Sequence, residues 1–218
     1  MTRRQLLKLI EEGEGLITEF KQRFSTHEKI AKEVIALANT RGGYIIFGVN
    51  DDKSICGVES EKGEAELIKL TAENYCEPPV NYKLHYLEYK DKELVIMEIP
   101  ESDVKPHRIQ DYLPEFDIRK AGVYVRVNEM SMLASKEMIK ILQAQASGKS
   151  LKHYEIGKNE KIAFEYLDTN NTISVKELSK LANISTRRAS RALIKLVRAN
   201  LLMIHSKDNG EDYFTYVG

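Results

Sequence analysis

Five cations, Arg187, Arg188, Arg191, Lys195 and Arg198, fall between Ser185 and Asn200 with no Asp or Glu among them. Guanidinium groups present a fixed fork of donors that fits phosphate oxygens and the guanine edge, and an ammonium acts on the same anions as a point charge. A run of this kind reads as an anion-contacting surface, set against the plainer alternative of a solvated helix face. The whole chain gives no such hint, because 33 Lys plus Arg stand against 33 Asp plus Glu in 218 residues, a formal net charge of zero. That balance excludes a globally basic coat for nucleic acid but leaves room for a local contact. Divided at Ser147-Gly148-Lys149-Ser150, residues 151–218 hold 11 cations and 8 anions, a net of +3, and residues 1–150 carry −3.

Other reactive residue types are sparse in pattern. Cys56 and Cys76 form no CxxC and have no His cluster nearby, which argues against a disulfide framework or a zinc site and for reduced, buried thiols. His27, His85, His107, His153 and His205 lack metal-ligand or triad spacing and read as surface or capping residues. His107 is the exception, since Lys105-Pro106-His107-Arg108 groups charge that would face an anionic ligand. No GxxxxGK[ST] occurs, so Gly42 and Gly43 are read as a helix-ending turn that needs positive φ and not as a phosphate loop. No apolar run approaches the ~18 residues of a membrane span, and Glu11 and Glu12 interrupt the amino terminus before a signal-like stretch develops. A cytoplasmic protein without a membrane partner is expected.

The elements that position the cations follow from periodicity. Glu160 to Leu167 has helical spacing and ends at Asp168-Thr169-Asn170-Asn171. Ser174 stands three residues before Glu177, a capping-box pattern, and Leu178, Leu181 and Ala182 stripe a short helix. Asn183-Ile184-Ser185 turns the chain, Ser185 or Thr186 caps the next helix, and Ala189, Leu193, Leu196 and Val197 form its apolar stripe. Leu201 to His205 and Tyr213 to Val217 are β-prone runs around Asn209-Gly210, a hairpin signal. This order resembles a winged-helix domain. The resemblance implies that Thr186 to Arg198 is the recognition helix of a duplex-DNA contact. Arg187, Arg188 and Arg191 would then meet the major groove or its phosphates, with Lys195, Arg198 and the wing residue Lys207 on the backbone. A winged helix acting instead as a protein adaptor would show an apolar patch on that helix.

In the first region, Thr2 to Glu12 reads as a helix, and Leu16 to Phe24 as a strand with outward charges at Glu19 and Lys21. Ser25 to Glu28 is a capping box before a helix that stops at Asn39-Thr40-Arg41-Gly42-Gly43. Tyr44 to Val49 is a strand with Ile55 to Val58 as its expected partner. A helix over residues 65–75, a hairpin around Lys90-Asp91-Lys92, a strand over 123–127 and a helix over 135–144 follow. Tyr82, Tyr86 and Tyr89 are read as packing residues. Three linked motifs, Glu14-Gly-Leu-Ile-Thr-Glu19-Phe-Lys21, Ala36-Leu-Ala-Asn-Thr-Arg-Gly-Gly43 and Phe47-Gly-Val-Asn-Asp-Asp52, resemble the Schlafen AlbA-like domain, as do Lys105 to Arg108 and Gly122 to Val127. The resemblance spans roughly residues 10–145 and implies an α+β fold with a mixed sheet and DNA binding, often with a carboxy-terminal helix-turn-helix. Schlafen endoribonucleases also carry three carboxylates at the positions matched here by Glu14, Glu19 and Asp51. The resemblance thus implies an alternative, a nuclease holding Mg²⁺ or Mn²⁺ through these groups, with RNA as partner.

The expected architecture is a Schlafen AlbA-like domain over 1–146, a linker over 147–153 and a winged helix over 154–218. The expected role is a homodimeric transcriptional regulator without a cofactor.

Overall fold

The computed structural model describes residues 1–113, 115–147 and 156–217. It divides into two compact units, Met1–Leu133 and Ala134–Gly218. Helices and strands are both abundant, in the α+β class expected, and no described helix is long and apolar enough to cross a membrane.

The first unit begins with α1 (Arg3–Glu12), whose N-cap Thr2 and Gln5 form a reciprocal capping box. β1 (Thr18–Lys21), α2 (His27–Asn39), β2 (Gly42–Phe47), α3 (Glu61–Asn74), β3 (Cys76–Glu77), β4 (Lys83–Tyr89) and β5 (Lys92–Pro100) follow, and then β6 (Arg108–Ile109), β7 (Tyr124–Val127) and β8 (Met130–Leu133). The central sheet has the order β1-β2-β5-β4, with β1 parallel to β2 and the other pairs antiparallel. Strand alternation sends Ile45, Phe47, Val95, Met97 and Ile99 to one face, against α2 and α3, and Phe20, Ile46, Leu94 and Ile96 to the other, against Leu6 and Ile10 of α1. Lys90 and Asp91 both have positive φ, +50° and +59°, the twist that a two-residue hairpin turn requires.

Ile55 to Val58 does not form the strand expected beside β2, whose neighbour on that side is β5. Only an isolated bridge, Val49 to Ile55, remains. The amides of Cys56 and Gly57 both donate to the Gly48 carbonyl at 2.9 Å, and Val58 N–H turns to Glu93 O at 2.8 Å. Two amides converging on one carbonyl cannot continue a ladder. The cap of α2 is Thr26, which accepts from Lys29 N–H, one residue later than the expected Ser25. Strand β8 had no expected counterpart.

The second unit holds α4 (Lys136–Ala146), α5 (Lys158–Asn170), α6 (Val175–Leu181), α7 (Thr186–Arg198) and an antiparallel hairpin of β9 (Leu202–Ser206) and β10 (Asp212–Tyr216). Its core joins Ala163 and Leu167 of α5, Leu178 of α6, Ala189, Leu193 and Leu196 of α7, Leu202 and Phe214. The Ser174–Glu177 capping box starts α6 as expected, and Ser185 caps α7. The hairpin closes through a longer loop than Asn-Gly alone would make, since Lys207 N–H bonds Glu211 O at 2.9 Å and Gly210 N–H bonds Lys207 O at 2.8 Å. Helix α4 lies in this unit, whereas its place before Ser147 puts it in the expected first domain. Glu137 accepts a hydrogen bond from Ser190 of α7 at 2.7 Å, which fixes it there. Residues 148–153 of the expected linker, His153 included, lie outside the described residues.

Candidate functional site

The three carboxylates implied by the resemblance have separate surroundings. Strand β1 has a neighbour on one side only, so the outward backbone groups of Thr18 and Phe20 need other partners. Glu14 supplies one, its Oε1 accepting the Phe20 N–H at 2.8 Å, and the Gly15 N–H donates to Thr18 O at 3.0 Å. Glu19 is only 7% exposed and points inward, contrary to the outward charge expected of it. Its Oε1 pairs with Lys21 Nζ and its Oε2 accepts from Arg126 Nη1 at 2.9 Å. Asp51 is exposed in the turn that Asn50 and Ser54 close with a 2.9 Å backbone hydrogen bond. Among the described residues no group of three or more His, Cys, Asp or Glu is placed to hold a metal ion. Glu14, Glu19 and Asp51 therefore do not form the converging trio that the nuclease alternative needs. Pairing with Arg126 and Lys21 and capping of the strand edge account for both glutamates.

Arg126, to which the sequence motifs assign no role, organises this region. Its side chain is fully buried. Nη1 donates to Glu19, to Glu33 at 2.9 Å and to Ser131 at 3.2 Å, while Nη2 donates to the Gly15 carbonyl at 2.6 Å. Ser131 donates in turn to Glu33. Burial, and then the nearby Glu19 charge, raises the Glu33 carboxyl above its ordinary value in spite of Ser131 and Arg126. The signal in the sequence was a single cation between valines, Val125-Arg126-Val127. Such a residue is buried in a sheet only with carboxylate partners.

The second motif is structural as well. Asn39 is buried and uses its amide three times, donating to the carbonyls of His107 and Tyr124 at 2.9 Å and accepting His107 N–H at 2.8 Å. His107 does not face an anion. Its Nδ1 donates to the Pro78 carbonyl at 2.7 Å, so its Nε2 accepts from Ser102 Oγ at 2.7 Å, and burial holds its pKa below the ordinary value. Lys105 is buried and paired with Glu101. Gly43 has φ +149°, and a Cβ there would stand 2.3 Å from the Ile17 carbonyl oxygen, so close backbone packing explains the glycine. Cys76 is buried, which pushes its thiol up to about 12, and Cys56 is half-buried.

Helix α7 places its cations differently. At 100° per residue, Arg187, Arg188, Arg191, Lys195 and Arg198 fall within an arc of about 100°. Arg187, Arg188, Arg191 and Lys195 are exposed and Arg198 is half-buried, whereas Ala189, Ala192, Leu193 and Leu196 are buried. Arg187, Arg188, Arg191 and Lys195 make no ion pair among the described residues, and the first turn holds no acid. No apolar patch interrupts the arc. Lys207 in the hairpin loop is exposed, 5.9 Å from the Tyr213 ring centroid, but Asp208 and Glu211 share its loop and Glu211 pairs with Lys176 at 3.1 Å.

Among the solved structures similar to this chain are two of low identity. One is the N-terminal domain of a RecG-related protein from Nitrosomonas europaea, 22% identical over 52% of this chain and 82% of that one, with a TM-score of 0.39. The other is the DIP2311 protein from Corynebacterium diphtheriae, 13% identical over 98% of this chain and 39% of that one, with a TM-score of 0.47. The family model described as Schlafen, AlbA_2 matches residues 14–135, more than half of the chain. That span contains the Glu14 to Lys21 edge, the Asn39 clamp and buried Arg126, and the chain belongs to the Schlafen AlbA_2 family.

Proposed function

We propose that this protein is a duplex-DNA-binding regulator of transcription whose second unit, read as a winged helix, makes the DNA contact through α7. The observation that carries the reading is the exposed arc of Arg187, Arg188, Arg191 and Lys195, which has no ion-pair partner among the described residues and no apolar neighbour within the arc. A 13-residue helix fits lengthwise in the major groove, where arginines read guanine edges or hold phosphates. Arg198 and Lys207 would touch the backbone, with Lys207 the weaker contact because acids share its loop. The first unit serves dimerisation, sensing or additional nucleic-acid binding. A homodimer would set two α7 helices on half-sites about 34 Å apart.

The decisive experiment compares the full chain with R187A/R188A/R191A by fluorescence anisotropy on duplex DNA across 50 to 200 mM salt. Loss of three phosphate contacts lowers the slope of log K against log salt by about 3 and weakens binding steeply. An unchanged slope and affinity would remove α7 as the contact.

A further inference from the structure

We infer that α4 belongs to the same DNA-contacting surface, with Lys136 and Lys140 as two additional phosphate contacts beside the α7 arc; this rests on the reading of α7 as the contact helix. Three observations carry it. The first is attachment. Glu137 accepts from Ser190 Oγ at 2.7 Å, and the α4 N-cap Ser135 donates to Asp212, whose other oxygen accepts from Ser206 at 2.6 Å. The start of α4 is thus tied to both the middle of α7 and the base of the hairpin loop.

The second is the side on which it docks. Ser190 lies about 60° around α7 from Arg187, on the side away from Arg188. Helix α4 therefore flanks the edge of the arc that carries Arg187, and the edge is extended rather than ended at that point. The third is the state of its cations. Lys136 and Lys140, one turn apart, are both exposed, and neither makes an ion pair among the described residues. The acid between them, Glu137, is already bonded to Ser190.

Lys136 also occupies the first turn of α4, where the helix macrodipole disfavours a cation, as Arg187 and Arg188 do in α7. Lys136 has no ion-pair or ring partner among the described residues. Counting the sequence by structural units strengthens the point. Residues 134–218 hold 14 Lys plus Arg against 9 Asp plus Glu, a net of +5, and residues 1–133 carry −5.

The test uses the full chain in four forms: wild type, K136A/K140A, K136E/K140E and R187A/R191A. Each is titrated onto duplexes of several unrelated sequences between 50 and 200 mM salt. Two lost phosphate contacts lower the salt slope of K136A/K140A by about 2 and weaken binding between roughly tenfold and 100-fold near 0.1 M salt, about equally on every sequence. Charge reversal weakens it further, and retained far-UV circular dichroism separates this from unfolding, an acid at position 136 suiting the first turn of α4. If K136A/K140A binds like wild type while R187A/R191A does not, the α4 inference is overturned and the α7 reading stands. If R187A/R191A binds like wild type, or wild type does not bind duplex DNA, the functional reading falls and this inference falls with it.

Discussion

Three buried cations of the first unit and four exposed cations on α7 of the second are used in opposite ways. In the first unit, whose other cations include the exposed Arg4, Lys29 and Lys69, Arg126 is buried against Glu19 and Glu33, Lys105 against Glu101, and Arg108 against Asp111 at 3.0 Å. In the second, Arg187, Arg188, Arg191 and Lys195 stand exposed on one face of α7. A charge bonded within the fold contributes to one structure and offers little to a partner. An exposed, unpaired charge adds little to stability and is open to a phosphate. In the family motifs, Glu14, Glu19, Asn39 and Arg126 are bonded within the fold, whereas the exposed α7 cations lie outside the span matched by the family model.

The comparison is tested most sharply at Arg126. Arg126→Ala leaves half-buried Glu33 without its cation and buried Glu19 with Lys21 alone, and it removes a donor from the Gly15 and Thr18 carbonyls. The expected cost is about 3–5 kcal/mol in the first unit. Hydrogen exchange reads it unit by unit, which matters because a two-unit chain need not unfold in one step. Retained protection in the first unit would mean that the network is peripheral.

A smaller effect is expected at His107. Its pKa lies below the ordinary value, so the unfolded chain binds the proton more tightly. Its contribution is complete above about pH 6.5 and is lost as pH falls from there toward the folded value, at up to about 1.4 kcal/mol per pH unit. Urea denaturation at pH 7.5, 6.5 and 5.5 should show this decline, and His107→Gln should flatten it. Glu33 runs the other way. Its raised carboxyl favours the fold when protonated, a contribution fully present below the ordinary value of 4.5 and lost as pH rises through the folded value. Glu33→Gln keeps an acceptor for Arg126 and Ser131, so it should cost under about 1 kcal/mol at pH 7, far less than Arg126→Ala. A cost as large as that of Arg126→Ala would show that the Glu33 charge is required.

Much of the fold was legible because periodicity and caps are local properties. Ser174 with Glu177, the Lys90-Asp91 turn and the stripe of α7 each declare themselves within a few residues. What was not legible depends on contacts across the chain. Glu19 looked outward because alternation assigns a face, but not what covers it, and Arg126, which covers it, is 107 positions away. The boundary expected at 146 and the division of the structure after Leu133 differ for the same reason. A Ser-Gly pair marks a flexible stretch, but only the Ser190 to Glu137 bond shows which unit claims the helix before it. In the candidate interface, the run of cations was visible at once, whereas the acids near Lys207 came into play only when the hairpin loop brought Glu211 to Lys176.

The smallest effect on stability is also the most informative, because its sign differs between the two kinds of charge. The N-cap Ser185 of α7 accepts the Arg188 N–H, so Arg188 occupies the third helical position, where α6 places Glu177 to complete its capping box. Arg188 therefore stands where an acid would both reach back to the cap and suit the helix dipole. Arg188→Glu should stabilise the second unit by about 0.3–1 kcal/mol while sharply weakening duplex binding. That pairing of gained stability with lost affinity is expected of a residue retained for a partner and not for the fold. Thermal unfolding followed by circular dichroism, run beside the anisotropy titration, reads both. A destabilised Arg188→Glu variant would give Arg188 an internal role and return α7 to the same class as Arg126.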